Sequence, residues 1–307
     1  LVGVGAQLVD GALGMAFGVT ASTLLVLGGV GAAQASAAVH LAEVGTTLAS
    51  GLSHWRFKNI DWSIVLKLGV PGAIGAFLGA TVLSSLSTKD AAPLMAAILV
   101  VIGVYVLLRF SLRNPSVLRH ASTPHSAKFL SPLGLFGGFV DASGGGGWGP
   151  VTTSTLLSRG KTAPRTVIGS VSASEFLVAA SASLGFAVGL RHDFIENLPV
   201  VLGLAAGGIV VAPFAAWLVS RVSPALLGAA VGGVIVLANS QKLVLYFGVQ
   251  WPSSTAIYTA IVVTWAVLMV VAWRTSRAPR FVPEEHELAT GPGTAGDGLL
   301  GHAVRGS

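Results

Sequence analysis

The chain has 307 residues, of which 53% are hydrophobic and only 10% charged, and its mean hydropathy is +0.79. Soluble domains carry about 25% charged residues, so this composition excludes an ordinary soluble domain and points to a membrane protein. The net charge of +6 does not mark a nucleic-acid binder, because the basic residues fall in short stretches between apolar runs; the absence of cysteine excludes disulfides and thiolate metal sites.

The first apolar segment, 2–30, would run roughly 44 Å as one straight helix, but Gly14 and Gly18 interrupt it. Three segments of span length follow at 34–53, 62–84 and 92–110. A basic stretch then leads into a second long apolar segment, 130–158, broken by Gly144, Gly145, Gly146, Gly147 and Pro150. Further spans are expected at 167–190, 199–220, 225–248 and 255–273. Each of these seven is roughly 19 to 24 residues, enough for a hydrocarbon core of about 30 Å. Past the last span the chain is rich in Gly and charge and poor in large apolar residues, a composition that predicts disorder.

The two long segments are one motif written twice. At an offset of 131, Val9 matches Val140, Asp10 matches Asp141, Gly14 matches Gly145, Phe17 matches Trp148, Gly18 matches Gly149 and Leu25 matches Leu156. At an offset of 132, Val39 matches Val171 and Glu43 matches Glu175, with Ser172 standing where His40 does. Glycine and proline at this density break a helix, so each long segment reads as two half-helices that enter and leave on one side. Loop charge agrees. If both segments crossed the membrane, Arg109, Arg113, Arg119 and Lys128 would lie opposite Arg159, Lys161 and Arg165, against the positive-inside rule. If both are re-entrant, these groups, together with Arg56, Lys58, Arg221, Arg274, Arg277 and Arg280, share the cytoplasmic side, and only Lys89 and Arg191 lie outside.

Each repeat is then one hairpin plus three spans, and an odd number of spans inverts the second repeat. The predicted fold is an all-α polytopic membrane protein of two inverted repeats with one extra C-terminal transmembrane helix. Its parts are repeat one (1–113), a basic cytoplasmic linker (114–129), repeat two (130–248), the extra helix (249–273) and a disordered cytoplasmic tail (274–307). Paired segments of this kind mark transporters whose site lies at the repeat interface.

The glycine run Gly144–Gly147 is expected to leave N–H groups uncovered at the start of a half-helix, a site suited to an anion. Thr152, Thr153, Ser154 and Thr155 follow as capping hydroxyls; Gly14, Gly18, Thr20, Ser22 and Thr23 are their equivalents in repeat one. Close helix packing is the competing explanation of the glycines. Ionisable groups at membrane depth are usually functional, so Glu43 and Glu175 are expected to carry protons and His40 and Ser172 to meet substrate. A structural hydrogen bond to the broken backbone is the alternative. Asp10 and Asp141 read equally well as caps on tip N–H groups and as cation or proton sites. Lys242, beside Asn239 and Gln241, reads as a snorkelling lysine, with an anion contact as the alternative; Lys67 snorkels. His40 and Glu43 lack companion ligands for zinc, so no metal and no cofactor is expected.

These residues resemble the TauE/SafE sulfite exporter family, also called the toluene sulfonate uptake permease family. The likeness covers residues 3–270 and rests on VDGALGMAFG and VHLAEVGTTLASGLSHWR in repeat one, PGAIGAFLGA after it, and FVDASGGGGWGP in repeat two. Repeat one departs from the commoner pattern, with GALGMAFGV in place of a longer glycine run and no proline. The resemblance implies export or uptake of sulfite or organosulfonates across a bacterial cytoplasmic membrane. The resulting expectation is an alternating-access, proton-coupled exporter of small sulfur-containing anions, not an enzyme. Its partners would be the anion, the lipid bilayer and a second copy of the chain, and no nucleic acid. An anion channel of the same fold and, more remotely, a membrane-embedded enzyme are the alternatives.

Overall fold

Both long apolar segments are broken helices. The first forms α1 (Val2–Leu13) and α2 (Phe17–Leu27). The second forms α6 (Ala127–Gly144), a π-helical turn (Gly149–Thr153) and α7 (Ser154–Arg159). Between them lie α3 (Ala32–Arg56), α4 (Trp62–Ser85) and α5 (Thr88–Leu112). After them come α8 (Pro164–Leu190), α9 (Leu198–Val219), α10 (Pro224–Tyr246) and α11 (Ser253–Arg277). The computed structural model describes residues 1–13, 15–112, 125–159, 161–190, 198–219 and 223–277, with no strand among them. Gly14, the basic stretch 113–124, Arg191, Arg221 and the tail 278–307 lie outside the described residues.

A helix stands at each of the seven expected spans. Five of them, α4, α5, α8, α10 and α11, are long and apolar enough to cross a membrane. α3 is equally long, but it carries His40, Glu43 and a run of Ser and Thr. Large apolar side chains face outward along the bundle, such as Leu66, Val70 and Ile74 on α4 and Val263, Val267 and Val270 on α11. Contiguous exposed apolar surface of this extent suits lipid, not water. α11 is the most exposed span and is held to α10 by the Trp265 indole, which donates to the Ala229 carbonyl at 3.0 Å.

Lipid tails are as apolar as a leucine side chain, so membrane helices associate through close packing. α4 and α6 do so backbone to backbone. A Cβ added at Gly138 would stand 2.0 Å from the Gly72 carbonyl oxygen, and one at Gly134 2.1 Å from that of Leu68. From the α4 side, one at Gly75 would stand 2.0 Å from the Leu135 oxygen. Other glycines pack in the same way, Gly75 and Gly79 of α4 against α6, Gly72 against Trp148 and Val178, Gly69 against Ser174 of α8, and Gly207 of α9 against α1; a Cβ on Gly203 would meet nothing within 4 Å among the described residues.

Contact order gives the helix directions. Along α4 and α8, Gly69 meets Ser174, Gly72 meets Val178 and Ser84 meets Gly189, so these two run parallel, as do α4 and α6. α3 and α8 run antiparallel, with Ser50 at Ser172, Gly51 at Ala173 and His40 at Phe186. α5 and α10 are also antiparallel, with Gly103 at Ile235 and Phe110 at Gly228. Since α6 and α8 point the same way, the chain between them must return. The Arg159 guanidinium, at the end of α7, stands 3.7 Å over the ring of Phe129 in the first turn of α6. Arg109, near the end of α5, reaches the Ser154 carbonyl and the Ser158 hydroxyl, both at 3.5 Å. Ser131 of α6 donates to the Lys67 carbonyl, and Ser170 of α8 accepts from the Asp61 N–H. One end of the bundle therefore gathers Lys58, Lys67, Arg109, Lys128, Arg159, Lys161 and Arg165.

Candidate functional site

The breaks of the two hairpins meet. A Cβ on Gly146 would lie 2.2 Å from the Val19 nitrogen, and one on Gly18 would lie 2.8 Å from the Gly146 Cα. Gly149 sits equally close to Met15. Ser22 of α2 donates its hydroxyl to the Gly145 carbonyl, tying the first hairpin to the second.

Each break is organised by the matched aspartate. Asp10 Oδ1 accepts the N–H groups of Ala16 and Phe17 at 2.9 and 3.2 Å. Asp141 Oδ1 accepts the Trp148 N–H at 2.8 Å. In both repeats the carboxylate caps the N–H of the aromatic seven residues on. Trp148 is fully buried, and its indole donates to the Val171 carbonyl of α8 at 3.2 Å. The Asp141 carbonyl closes α6 by accepting from Gly145 and Gly146. Gly145, Gly146 and Gly147 have φ of 71°, 142° and 157°, the left-handed region that side chains avoid.

The expected anion donors are therefore placed unequally. Gly144 packs on Ile98 of α5, and Gly145 and Gly146 are turned into the contact between hairpins. Gly147 lines a cavity, and its N–H meets no acceptor among the described residues. Thr152 and Thr155 do not cap the second half-helix, because each hydroxyl bonds the carbonyl four residues back, Trp148 and Val151. Asp141 takes that role instead. The Thr20 hydroxyl is buried without a partner among the described residues and lies outside the cavity lining. Near the predicted Lys242, Asn239 is buried and donates to Thr23 of α2 at 3.2 Å.

The cavity, about 260 Å³, lies where the hairpins meet α3 and α8. Asp10, Glu43, Asp141 and Glu175 all line it, and no Lys or Arg does among the described residues. Gly18, Thr153 and Ser172 of the predicted site also line it. Glu43 is 4% exposed, and no group among the described residues hydrogen-bonds its carboxyl. Gln7, Thr46, Thr47 and Ser50 complete the polar wall, residues that sequence reasoning did not single out. The spacing of Glu43, Thr47, Ser50 and His54 along one helix face was the available signal.

The cavity is one-sided. Its lining on α3 runs from Glu43 to His54, roughly 16 Å along the helix axis, towards the end that bears Lys58 and Arg165. Ser50 and Ser172 bond across it at 2.8 Å. Beyond the hairpin contact, Ala35, Ala38, Val39, Val178, Ala182 and Phe186 are packed dry. A second hollow, about 420 Å³, is an exposed apolar groove between α4 and α8; its one polar side chain among the described residues, Ser181, already bonds the Ala73 carbonyl.

His40 does not line the cavity. It stands behind Asp141, with Nε2 3.1 Å from Oδ2. Among the described residues no three His, Asp or Glu side chains are placed to hold a metal ion.

Residues 1–241 match the family model described as Sulfite exporter TauE/SafE. The chain is 48% identical over 277 residues to a Bacillus subtilis (strain 168) protein named probable membrane transporter protein YtnM, covering 88% of this chain and 91% of that one. It is 24% identical over 169 residues to a second protein of that organism, probable membrane transporter protein YdhB, covering 55% and 69% respectively. No solved structure matches.

Proposed function

The chain belongs to the TauE/SafE sulfite exporter family and is a multi-pass membrane transporter, and on that premise we propose that it exports a small sulfur oxyanion, sulfite or an organosulfonate, by proton-coupled alternating access. The observation that carries this reading is the one-sided polar cavity at the meeting of two matched broken helices. Antiparallel packing of α3 on its counterpart α8, and of α5 on its counterpart α10, is what two inverted repeats require. The return of α7 to the start of α6 supports a hairpin that re-enters the membrane. With the basic end in the cytoplasm, the cavity opens inward, the state in which an exporter loads. The dry packing beyond the hairpins disfavours a continuous channel.

Proton coupling follows from the charge of the wall. Four carboxyl groups without Lys or Arg would repel an oxyanion, and burying unpaired like charges is costly. An anion enters such a wall only when protons neutralise part of it. Glu43 and Glu175, matched across the repeats and facing the cavity, are the groups assigned to hold them. The Gly147 N–H and the hydroxyls of Thr153 and Ser172 are the donors assigned to the anion. Purified protein in liposomes, given sulfite, organosulfonates, thiosulfate and sulfate with and without a pH gradient, tests the reading. Gradient-stimulated flux of sulfite or a sulfonate is expected; flux of none of them would end it.

A further inference from the structure

The hydrogen-bond partners of His40 determine where its protons sit. Nδ1 lies 2.8 Å from the Ser36 carbonyl, which can only accept. Its other neighbour, the Ser36 hydroxyl at 3.3 Å, gives its own hydrogen to the Ala142 carbonyl at 2.6 Å. Nδ1 therefore carries a hydrogen. Among the described residues Nε2 faces only Asp141 Oδ2, at 3.1 Å, in a pair whose side chains are 0% and 3% exposed. Asp141 Oδ1 already accepts from Trp148. A bond between Nε2 and Oδ2 thus needs one hydrogen, on either atom. Without it, two lone pairs face each other in a dry site.

We propose that His40 and Asp141 hold one shared proton, and that this proton latches the second hairpin tip onto α3. Both are positioning residues. Asp141 holds Trp148 through one oxygen and α3 through the other, so the link couples the 141–149 turn to α3. Ser36, bonded to Ala142, is the second, non-titrating tie between the same two elements. The matching position for the first hairpin carries Ser172 in place of a histidine. The other ionisable groups around the cavity side of Asp141 are Glu43 on α3, Glu175 on α8, Asp10 on α1 and, at the far end, His54. α8 also brings the apolar Phe186 ring, 6.1 Å from the imidazole. A proton leaving the pair would free the tip that walls the cavity.

Hydrogen exchange of the full chain in detergent, read by mass spectrometry on the peptide spanning 145–149 and corrected for intrinsic base catalysis, tests this without any transport substrate. Its failure is thus separate from failure of the sulfur-oxyanion reading. Protection of the wild-type tip is expected to fall about tenfold or more between about pH 5 and about pH 10, as loss of one charge-assisted hydrogen bond implies. In Asp141→Asn the amide oxygen still accepts from Trp148 and the amide N–H donates to the neutral Nε2, so the tip should stay latched and its protection should not titrate. His40→Leu removes the link and should leave the tip poorly protected at every pH. If His40→Leu does not fold, Asp141→Asn decides alone. Wild-type protection that ignores pH, or an Asn variant that titrates as wild type does, would overturn the proposal.

Discussion

Glu43 is the residue whose surroundings demand a ligand. Its carboxyl group is almost wholly buried, faces the cavity, and has neither a hydrogen-bond partner nor a cation beside it among the described residues. A group left this way contributes nothing to the fold and is costly when charged. Glu43→Gln should therefore fold as well as the parent, with stability equal or higher by about 1 kcal/mol. Glu175→Gln, at the matched and less buried position, should behave likewise. Both variants keep side-chain size but lose the titrating proton, so each is expected to export without responding to a pH gradient. Accumulation driven by an imposed gradient, compared with exchange at equal pH, separates the two properties. Undiminished gradient-driven accumulation in both variants would remove these carboxyl groups from the coupling. The pair itself was legible in the sequence from the repeat alone. Capping by Asp10 and Asp141 was legible too, as one of two readings. The attachment of His40 to Asp141 was not, because the two residues are 101 positions apart and no periodicity links them.

Among the elements, the hairpin tips depend on glycine and the straight helices need not, and substitution shows the difference. Gly146 combines a left-handed φ with a Cβ position 2.2 Å from the backbone nitrogen of Val19 in the other hairpin. Gly146→Ala should destabilise the fold by roughly 1–3 kcal/mol or more and separate the two tips. Gly203, in the second turn of α9, has nothing among the described residues within 4 Å of the place a Cβ would take. Gly203→Ala should be neutral or stabilising by up to about 1 kcal/mol, the ordinary helix-propensity difference. Thermal unfolding in detergent measures both; equal effects would show that backbone approach at the tip does not govern stability. The breaks and all seven long helices were legible because apolar length and glycine density are local properties. The use of the glycines was not. A run of four reads as an open anion nest, yet Gly144, Gly145 and Gly146 face neighbouring helices and only Gly147 faces the cavity. Which way a glycine faces depends on tertiary packing.

Across the whole molecule, the decisive quantity is which ends of the helices lie together. Loop charge alone places the basic stretches on one side, and the contacts of Arg159 with Phe129, Arg109 with Ser158, Ser131 with Lys67 and Ser170 with Asp61 bring those of them near Lys58, Arg109, Lys128 and Arg159 to one end. These are independent observations, one from composition and one from packing. Lys89 lies in the first turn of α5, at the other end of that helix from Arg109. The chain has no cysteine, so single cysteines at Lys58, Lys128, Lys161 and Lys89 can each be labelled cleanly by an impermeant thiol reagent. Lys58, Lys128 and Lys89 are exposed, and Lys161 is partly so. In oriented vesicles, Lys58→Cys, Lys128→Cys and Lys161→Cys should react from the cytoplasmic face and Lys89→Cys from the opposite face. The pair Lys128 and Lys161 carries the weight, since α6, its break and α7 all lie between them. A segment that crossed the membrane once would put these two positions on opposite faces. Reaction from opposite faces would remove the re-entrant hairpin, and with it the odd number of spans that inverts the second repeat against the first.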